Sequence, residues 1–258
     1  MFDYAHYVAV LRWKRGERDA LQALAPLDRE SVTPLLELLP GYMRPRRSTQ
    51  SGLTSDDFQV VVGQMIDACG SAPVLVDVVG VANTPYKGST DRSVEKLFSA
   101  LGAAGIHAIP ATGLDRPATF QGVIRDVIRI DDRGVAIRVP IVHLQDAQLA
   151  RTLRDLIAYL GVAPGSVDLI VEYGVVHAAA PSFSYICHRL PELQRWRTFT
   201  VLGGSFPSDL MGFKRPGQYE IPREEWTHWV NEIKRSPTLP RRPTLGTTPF
   251  STLSTMSP

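Results

Sequence analysis

The chain has 258 residues, 28 Lys+Arg against 26 Asp+Glu, 44% apolar and 21% charged residues, 20 Gly, 20 Pro and two Cys. That composition supports one large globular domain or two small ones and excludes a disordered, collagenous or disulfide-scaffolded chain. A net charge of +2 is too small to make nucleic acid an obligatory partner. No apolar run reaches the length needed to span a bilayer, and the opening MFDYAHYVAV lacks the basic-then-apolar layout of a secretory signal, so a cytoplasmic location is expected.

In chain order, short β-rich runs alternate with longer stretches of helical periodicity. The spacing predicts strands over Tyr7–Trp13, Thr33–Leu38, Pro73–Val79, His107–Ala111, Gly134–Val142, Val167–Tyr173 and Thr198–Leu202. It predicts helices over Glu17–Ala25, Asp56–Cys69, Asp91–Ala104, Thr119–Arg129, Asp146–Leu160, Phe183–Gln194 and Pro222–Lys234. Thr54 precedes the second helix with N-cap chemistry and Gly70 follows it, where a left-handed residue ends a helix. Leu149, Leu153, Leu156, Ile157 and Leu160 share one face of the fifth helix, and Gly161 closes it. Pro222 places a fixed φ ahead of Glu224 and Glu225 in the seventh, where Trp226 and Trp229, with Ile221, Val230 and Ile233, read as a buried stripe.

A strand leading through a helix to the next strand is nearly always a right-handed parallel crossover. Seven such units in a chain of this length favour a TIM-like (β/α)8 barrel over an open doubly wound sheet. The first turn, Trp13–Lys14–Arg15–Gly16–Glu17, also lacks the glycine-rich dinucleotide fingerprint. Residues 236–258 are dominated by Ser, Thr and Pro. They read as a disordered tail that leaves the barrel domain, 1–235, with its eighth unit lost.

Because residues two apart on a strand share a face, Lys14, Glu37, Asp77, Arg138 and Glu172 are expected to gather at the C-terminal mouth. Barrel catalytic groups come from several strand ends at that face, so these five are the candidate catalytic residues. Arg44 in the loop Pro40–Ser55, and the run Gly203–Gly204–Ser205 after the seventh strand, are candidate ligand-binding residues for an anion or phosphate. The loop Gly80–Thr90 adds Asn83, Tyr86 and Lys87, while His143 and His177 follow strands and are within reach of acid–base duty. The carboxylates suit Mg²⁺ in type but not in diagnostic spacing. The six histidines show no zinc pattern, and no cofactor is defined. Ser205 lacks a GxSxG elbow and Cys187 lies within a helix, so neither reads as a nucleophile. Arg44, Arg46, Arg47, Arg241 and Arg242 form local basic clusters without the aromatic interleaving of a nucleic-acid surface.

These residues carry a resemblance. Tyr7–Glu17 (YVAVLRWKRGE), Thr33–Glu37 (TPLLE), Val167–Glu172 (VDLIVE), Gly203–Pro207 (GGSFP) and Pro222–Trp226 (PREEW) resemble the phage and bacterial beta protein family over about residues 4–235. The resemblance supports the fold and implies a phage-associated context without a settled activity. Relatives continue into a last strand carrying Gly-Asp-Tyr, whereas Leu245–Gly246 is followed here by Thr247–Thr248. A frameshift removing the eighth unit would account for that. Two functions are therefore expected in competition: a barrel enzyme acting on a small anionic or phosphorylated ligand, and a non-catalytic phage- or defence-associated interaction protein.

Overall fold

The structure, a computed structural model, describes residues 3–43, 53–82, 93–176, 180–207 and 217–248. Eight parallel strands close into a barrel in sequence order: β1 (Tyr7–Arg12), β2 (Val32–Glu37), β3 (Val74–Asp77), β4 (Ala108–Gly113), β5 (Val135–Pro140), β6 (Val167–Val175), β7 (Thr198–Gly204) and β8 (Thr244–Thr247). Around them run α1 (Arg15–Ala23), α2 (Pro26–Glu30), α3 (Pro40–Met43), α4 (Ser55–Cys69), α5 (Val79–Ala82), α6 (Ser93–Ala103), α7 (Ala118–Asp131), α8 (Leu149–Leu160), α9 (Phe183–Arg189) and α10 (Glu224–Arg235). No described helix is long and apolar enough to cross a membrane.

Local chemistry sets these elements. Thr54 caps α4 in a reciprocal box: the Asp57 N–H donates to its hydroxyl, while the Thr54 N–H donates 2.8 Å to the Asp57 carboxylate. Gly70 ends that helix at φ 62° and Gly161 ends α8 at φ 73°. Two cores result. Val8, Val10, Leu35, Leu75, Ile109, Ala111, Ala136, Ile170 and Leu202 fill the barrel interior, and a larger cluster joins the outer strand faces to the helices. Strands β2 to β5 are buried on nearly every residue, as a parallel sheet covered on both faces requires.

The expected loss of the eighth strand is overturned. β8 pairs with β7 (Thr200↔Thr244 to Gly203↔Thr247) and with β1 (Tyr7↔Leu245 to Ala9↔Thr247), so the ring is shut rather than seven-stranded. Composition misled because threonine, counted toward disorder, is also β-branched and suits a pleated surface. Gly246 admits Leu202, Thr200 and the Val8 carbonyl, all 3.1–3.3 Å from where a Cβ would stand. Arg241 anchors the approach to β8 by donating to the carbonyls of Leu193 (3.0 Å), Trp196 (2.6 Å) and Arg197 (3.0 Å). The expected disordered tail therefore begins, at the earliest, after Thr248; residues 249–258 lie outside the described set.

The seventh predicted helix also departs from expectation. α10 buries Glu225 and Glu232, whereas Trp226 is 48% exposed and stacks on Trp229 at 5.7 Å. Both carboxylates have work at the inner face. Glu232 accepts the Phe183 N–H at 2.9 Å, and Glu225 accepts Arg223 Nε at 2.8 Å.

Ring closure is testable at Gly204, where a Cβ would lie 2.3 Å from the Thr248 carbonyl oxygen. Gly204→Ala is expected to destabilise the fold by about 2 kcal/mol or more. A chain ending at Arg242 is expected to lose its cooperative thermal transition, because the edges of β1 and β7 are left open. Both are read by circular-dichroism melts.

Candidate functional site at the C-terminal mouth

The strands project their inward side chains at the C-terminal ends in register. Arg12, Glu37 and Asp77 are successive partners across β1, β2 and β3. Arg138 pairs across from Gly113 on β4, and Glu172 stands near the end of β6. Glu37, Asp77, Arg138 and Glu172 are all at most 4% exposed.

Those four meet in one network. Arg138 Nε donates 2.6 Å to Glu172 Oε1. Its Nη1 donates 3.1 Å to Glu37 Oε1 and 2.6 Å to Asp77 Oδ2, and its Nη2 reaches Glu37 Oε1 at 3.1 Å and Glu172 Oε1 at 2.5 Å. One guanidinium thus binds three carboxylates. Two further arginines join at the rim: Arg116 Nη2 donates 3.0 Å to Asp77 Oδ2, and Arg12 Nε lies 3.9 Å from Glu37 Oε2. The Val79 N–H fixes the other Asp77 oxygen at 3.0 Å.

The electrostatics follow from crowding. Burial disfavours the charged guanidinium, but Glu172, Asp77 and Glu37 outweigh that and bind the Arg138 proton more tightly than usual. Burial likewise pushes the Glu37 carboxyl above the ordinary range. Arg138 pulls it back, and the neighbouring Asp77 and Glu172 charges push it up again.

The remaining candidates are placed differently. Lys14 stands just before α1 with Nζ 5.4 Å from the Tyr42 ring centroid, a cation–π contact at the rim. Gly203 and Gly204 belong to β7, which runs two residues beyond the predicted end. A Cβ at Gly203 would lie 2.4 Å from Val176 Cγ2, and the two carbonyls accept N–H groups from Thr248 (3.2 Å) and Val176 (2.8 Å). Close strand packing explains both glycines. Ser205 follows the strand, donates its hydroxyl to Glu225 Oε2 and accepts the Glu225 N–H at 3.1 Å. Burial raises the Glu225 pKa, but hydrogen bonds from Ser205 and Arg223 outweigh it and leave the carboxyl below the ordinary range.

Arg44, Arg46, Arg47, Asn83, Tyr86, Lys87 and His177 lie outside the described residues. His143, in the turn after β5, pairs with Asp115 on the loop after β4 at 2.6 Å. Burial pushes the Cys187 thiol above its usual pKa, which disfavours thiolate chemistry there. As for a divalent cation, Arg138 occupies the centre of the carboxylate cluster. Among the described residues no group of three His, Cys, Asp or Glu is arranged to hold a metal ion.

Sequence reasoning missed Arg116 and left Arg12 out of the candidate set. Arg12 had a signal, sharing a face with Val10 and Lys14. Arg116 had none, because loop residues have no periodicity to assign them a side.

Eight parallel strands closed in sequence order, with buried charges converging at their C-terminal ends, define a TIM-barrel protein whose polar site lies where barrel enzymes carry theirs. The chain belongs to the Beta protein family, whose model matches residues 7–246. Among solved structures it is similar to two mutants of the tryptophan synthase α-subunit from Pyrococcus furiosus. One gives a TM-score of 0.52 at 12% identity and the other 0.52 at 14%; in each case the match covers 96% of this chain and 88% of that one. At such identities the likeness shows the fold alone. A search of curated proteins returned no match.

Two substitutions probe the network. Arg138→Met strands three buried carboxylates and is expected to cost about 3–5 kcal/mol at neutral pH. Glu37→Gln tests the raised pKa. A carboxyl whose folded pKa lies above its unfolded value favours folding most when protonated in both states, and that contribution is lost as pH rises through the folded pKa. The stability of Glu37→Gln relative to wild type is therefore expected to increase from pH 4.5 upward, as read by denaturant melts across pH.

Proposed function

We propose that this protein is a barrel enzyme acting on a small anionic or phosphorylated ligand at the C-terminal mouth. The observation that carries the reading is the buried Arg138–Glu37–Asp77–Glu172 cluster at strand ends. Ionised groups cost several kcal/mol to bury by order of magnitude, and their concentration at the catalytic end of the fold argues for chemistry over simple closure.

The roles divide by depth. Arg12, Arg116 and Lys14 form a cationic rim that attracts the ligand's negative group. Glu37, whose burial raises its proton affinity, serves as general acid toward the bound ligand, and Glu172 is the accepting base across the Arg138 guanidinium. Arg138 and Asp77 hold these two carboxyls in place. Ser205, fixed by Glu225 at the end of β7, contributes a polar contact beside Gly203 and Gly204, and Arg44 is a further candidate on sequence grounds alone.

Differential scanning fluorimetry against phosphorylated metabolites and small carboxylates tests the reading. A ligand present at 100 times its Kd is expected to stabilise the wild type by about 2.7 kcal/mol. That gain is expected to shrink in Lys14→Ala and vanish in Glu172→Ala, with the unliganded melt of Lys14→Ala unchanged. If no compound shifts the wild type, or the shift survives both substitutions, the assignment is wrong and the charges serve the fold.

A further inference from the structure

At the opposite opening of the barrel the inward side chains are short and polar. Thr33, Asp168 and Thr198 stand there on β2, β6 and β7, and Leu75 and Ile109 close the interior above them. The space they leave is a cavity of about 480 Å³, within the size range of small-molecule sites. Its floor is apolar, from Leu75, Ile109, Val32 and Pro73, and its wall carries His6, His107, Arg29 and the Asp168–Arg197 pair. None of these residues belongs to the cluster at the other end.

Not every guanidinium around this cavity is paired directly with a carboxylate. Arg197 is bidentate on Asp168 at 2.9 and 2.6 Å, and Thr198 donates its hydroxyl to the same carboxylate at 2.8 Å, so Asp168 is fully engaged. Arg29 donates instead to the carbonyls of Leu24 (3.1 Å) and Gln22 (2.6 Å), and Arg133, beside His107, to the carbonyl of Ile106. Carbonyls satisfy the hydrogen bonds but supply no counter-charge. Among the described residues neither guanidinium has a carboxylate at salt-bridge distance; Glu30, on the exposed lip, and Asp3, beside His6, are the acidic groups nearby.

The imidazoles register this field. Burial lowers the His107 pKa, Arg133 and Arg197 lower it further, and Asp168 opposes them. Burial lowers the His6 pKa against the pull of Asp3, and its Nε2 bonds the Thr33 hydroxyl at 2.9 Å.

We propose that the N-terminal opening is a second ligand site, selective for a small monocarboxylic acid with an aromatic or aliphatic body. The body rests on Leu75, Ile109 and Val32, and the carboxylate turns toward Arg29 and the two imidazoles. A phosphate dianion fits less well, because the apolar floor offers it no donors and Arg197 is already committed. The bound carboxylate gives Arg29 a direct ion-pair partner and raises the proton affinity of both histidines. The site therefore binds more tightly as pH falls through the histidine range.

Imidazole carbon–proton NMR signals of the full chain, titrated with sodium benzoate, test this. Saturable shifts of the His6 and His107 signals are expected, with benzoate bound about fivefold more tightly at pH 6 than at pH 8. Benzyl alcohol and inorganic phosphate are expected to give no comparable response. Ala72→Trp, which fills the cavity from its wall, is expected to abolish binding, and Arg29→Gln to weaken it at least severalfold. The proposal is overturned by absence of saturation to ~10 mM benzoate, by equal responses to benzyl alcohol or phosphate, or by unchanged binding in Arg29→Gln. Should Ala72→Trp fail to fold, the pH dependence and Arg29→Gln still decide the matter.

Discussion

A guanidinium buried inside a barrel has only the neighbouring strands to neutralise it, and Arg138 is neutralised by three of them. Its partners come from β2, β3 and β6, so the hydrogen bonds cross the interior instead of following any one hairpin or helix. Such a network tolerates little error. Shifting one strand by a single residue would turn its carboxylate toward the helices and leave the guanidinium short of charge. The cluster thus ties the register of separate strands to one electrostatic condition. Burial within the same cluster, helped by the Asp77 and Glu172 charges, raises the proton affinity of Glu37 against the pull of Arg138.

How much of this the sequence revealed follows from periodicity. An arginine in the otherwise apolar Val135–Pro140, and acids closing Val32–Glu37 and Val74–Asp77, are conspicuous because two-residue alternation assigns each to the inner face. That alternation brought Glu37, Asp77, Arg138 and Glu172 together before any coordinates. Lys14 sits past the end of β1, where the alternation no longer governs direction, and its observed contact is with Tyr42. β8 was hidden by composition: a four-residue strand flanked by proline and arginine carries too little pattern to be distinguished from a tail. In α10, helical spacing predicted an aromatic stripe, yet hydrogen-bonding demands at Phe183 and Ser205 turned two glutamates inward.

The two openings of the barrel solve opposite problems. At the C-terminal end carboxylates outnumber the buried cation and rim arginines restore the balance. At the N-terminal end guanidiniums outnumber their carboxylate partners, and backbone carbonyls take the surplus hydrogen bonds without cancelling charge. Between them the apolar layer of Val10, Leu35, Leu75, Ile109 and Ile170 separates the two fields. That layer contains apolar side chains only, so none of its members titrates between the two ends.

Tyr7 lies beside Leu245, so the joint that shuts the cylinder unites residues nearly a whole sequence apart. During synthesis the opening strand must wait, one flank bare, until the closing strand has left the ribosome. Seven-eighths of the wall then exists as an open, sticky sheet, with the entropy of a very long loop still opposing the final seam. Nascent chains of this protein are accordingly most vulnerable to edge-on association after β7 has emerged and before β8 has, when chaperone shielding would matter most.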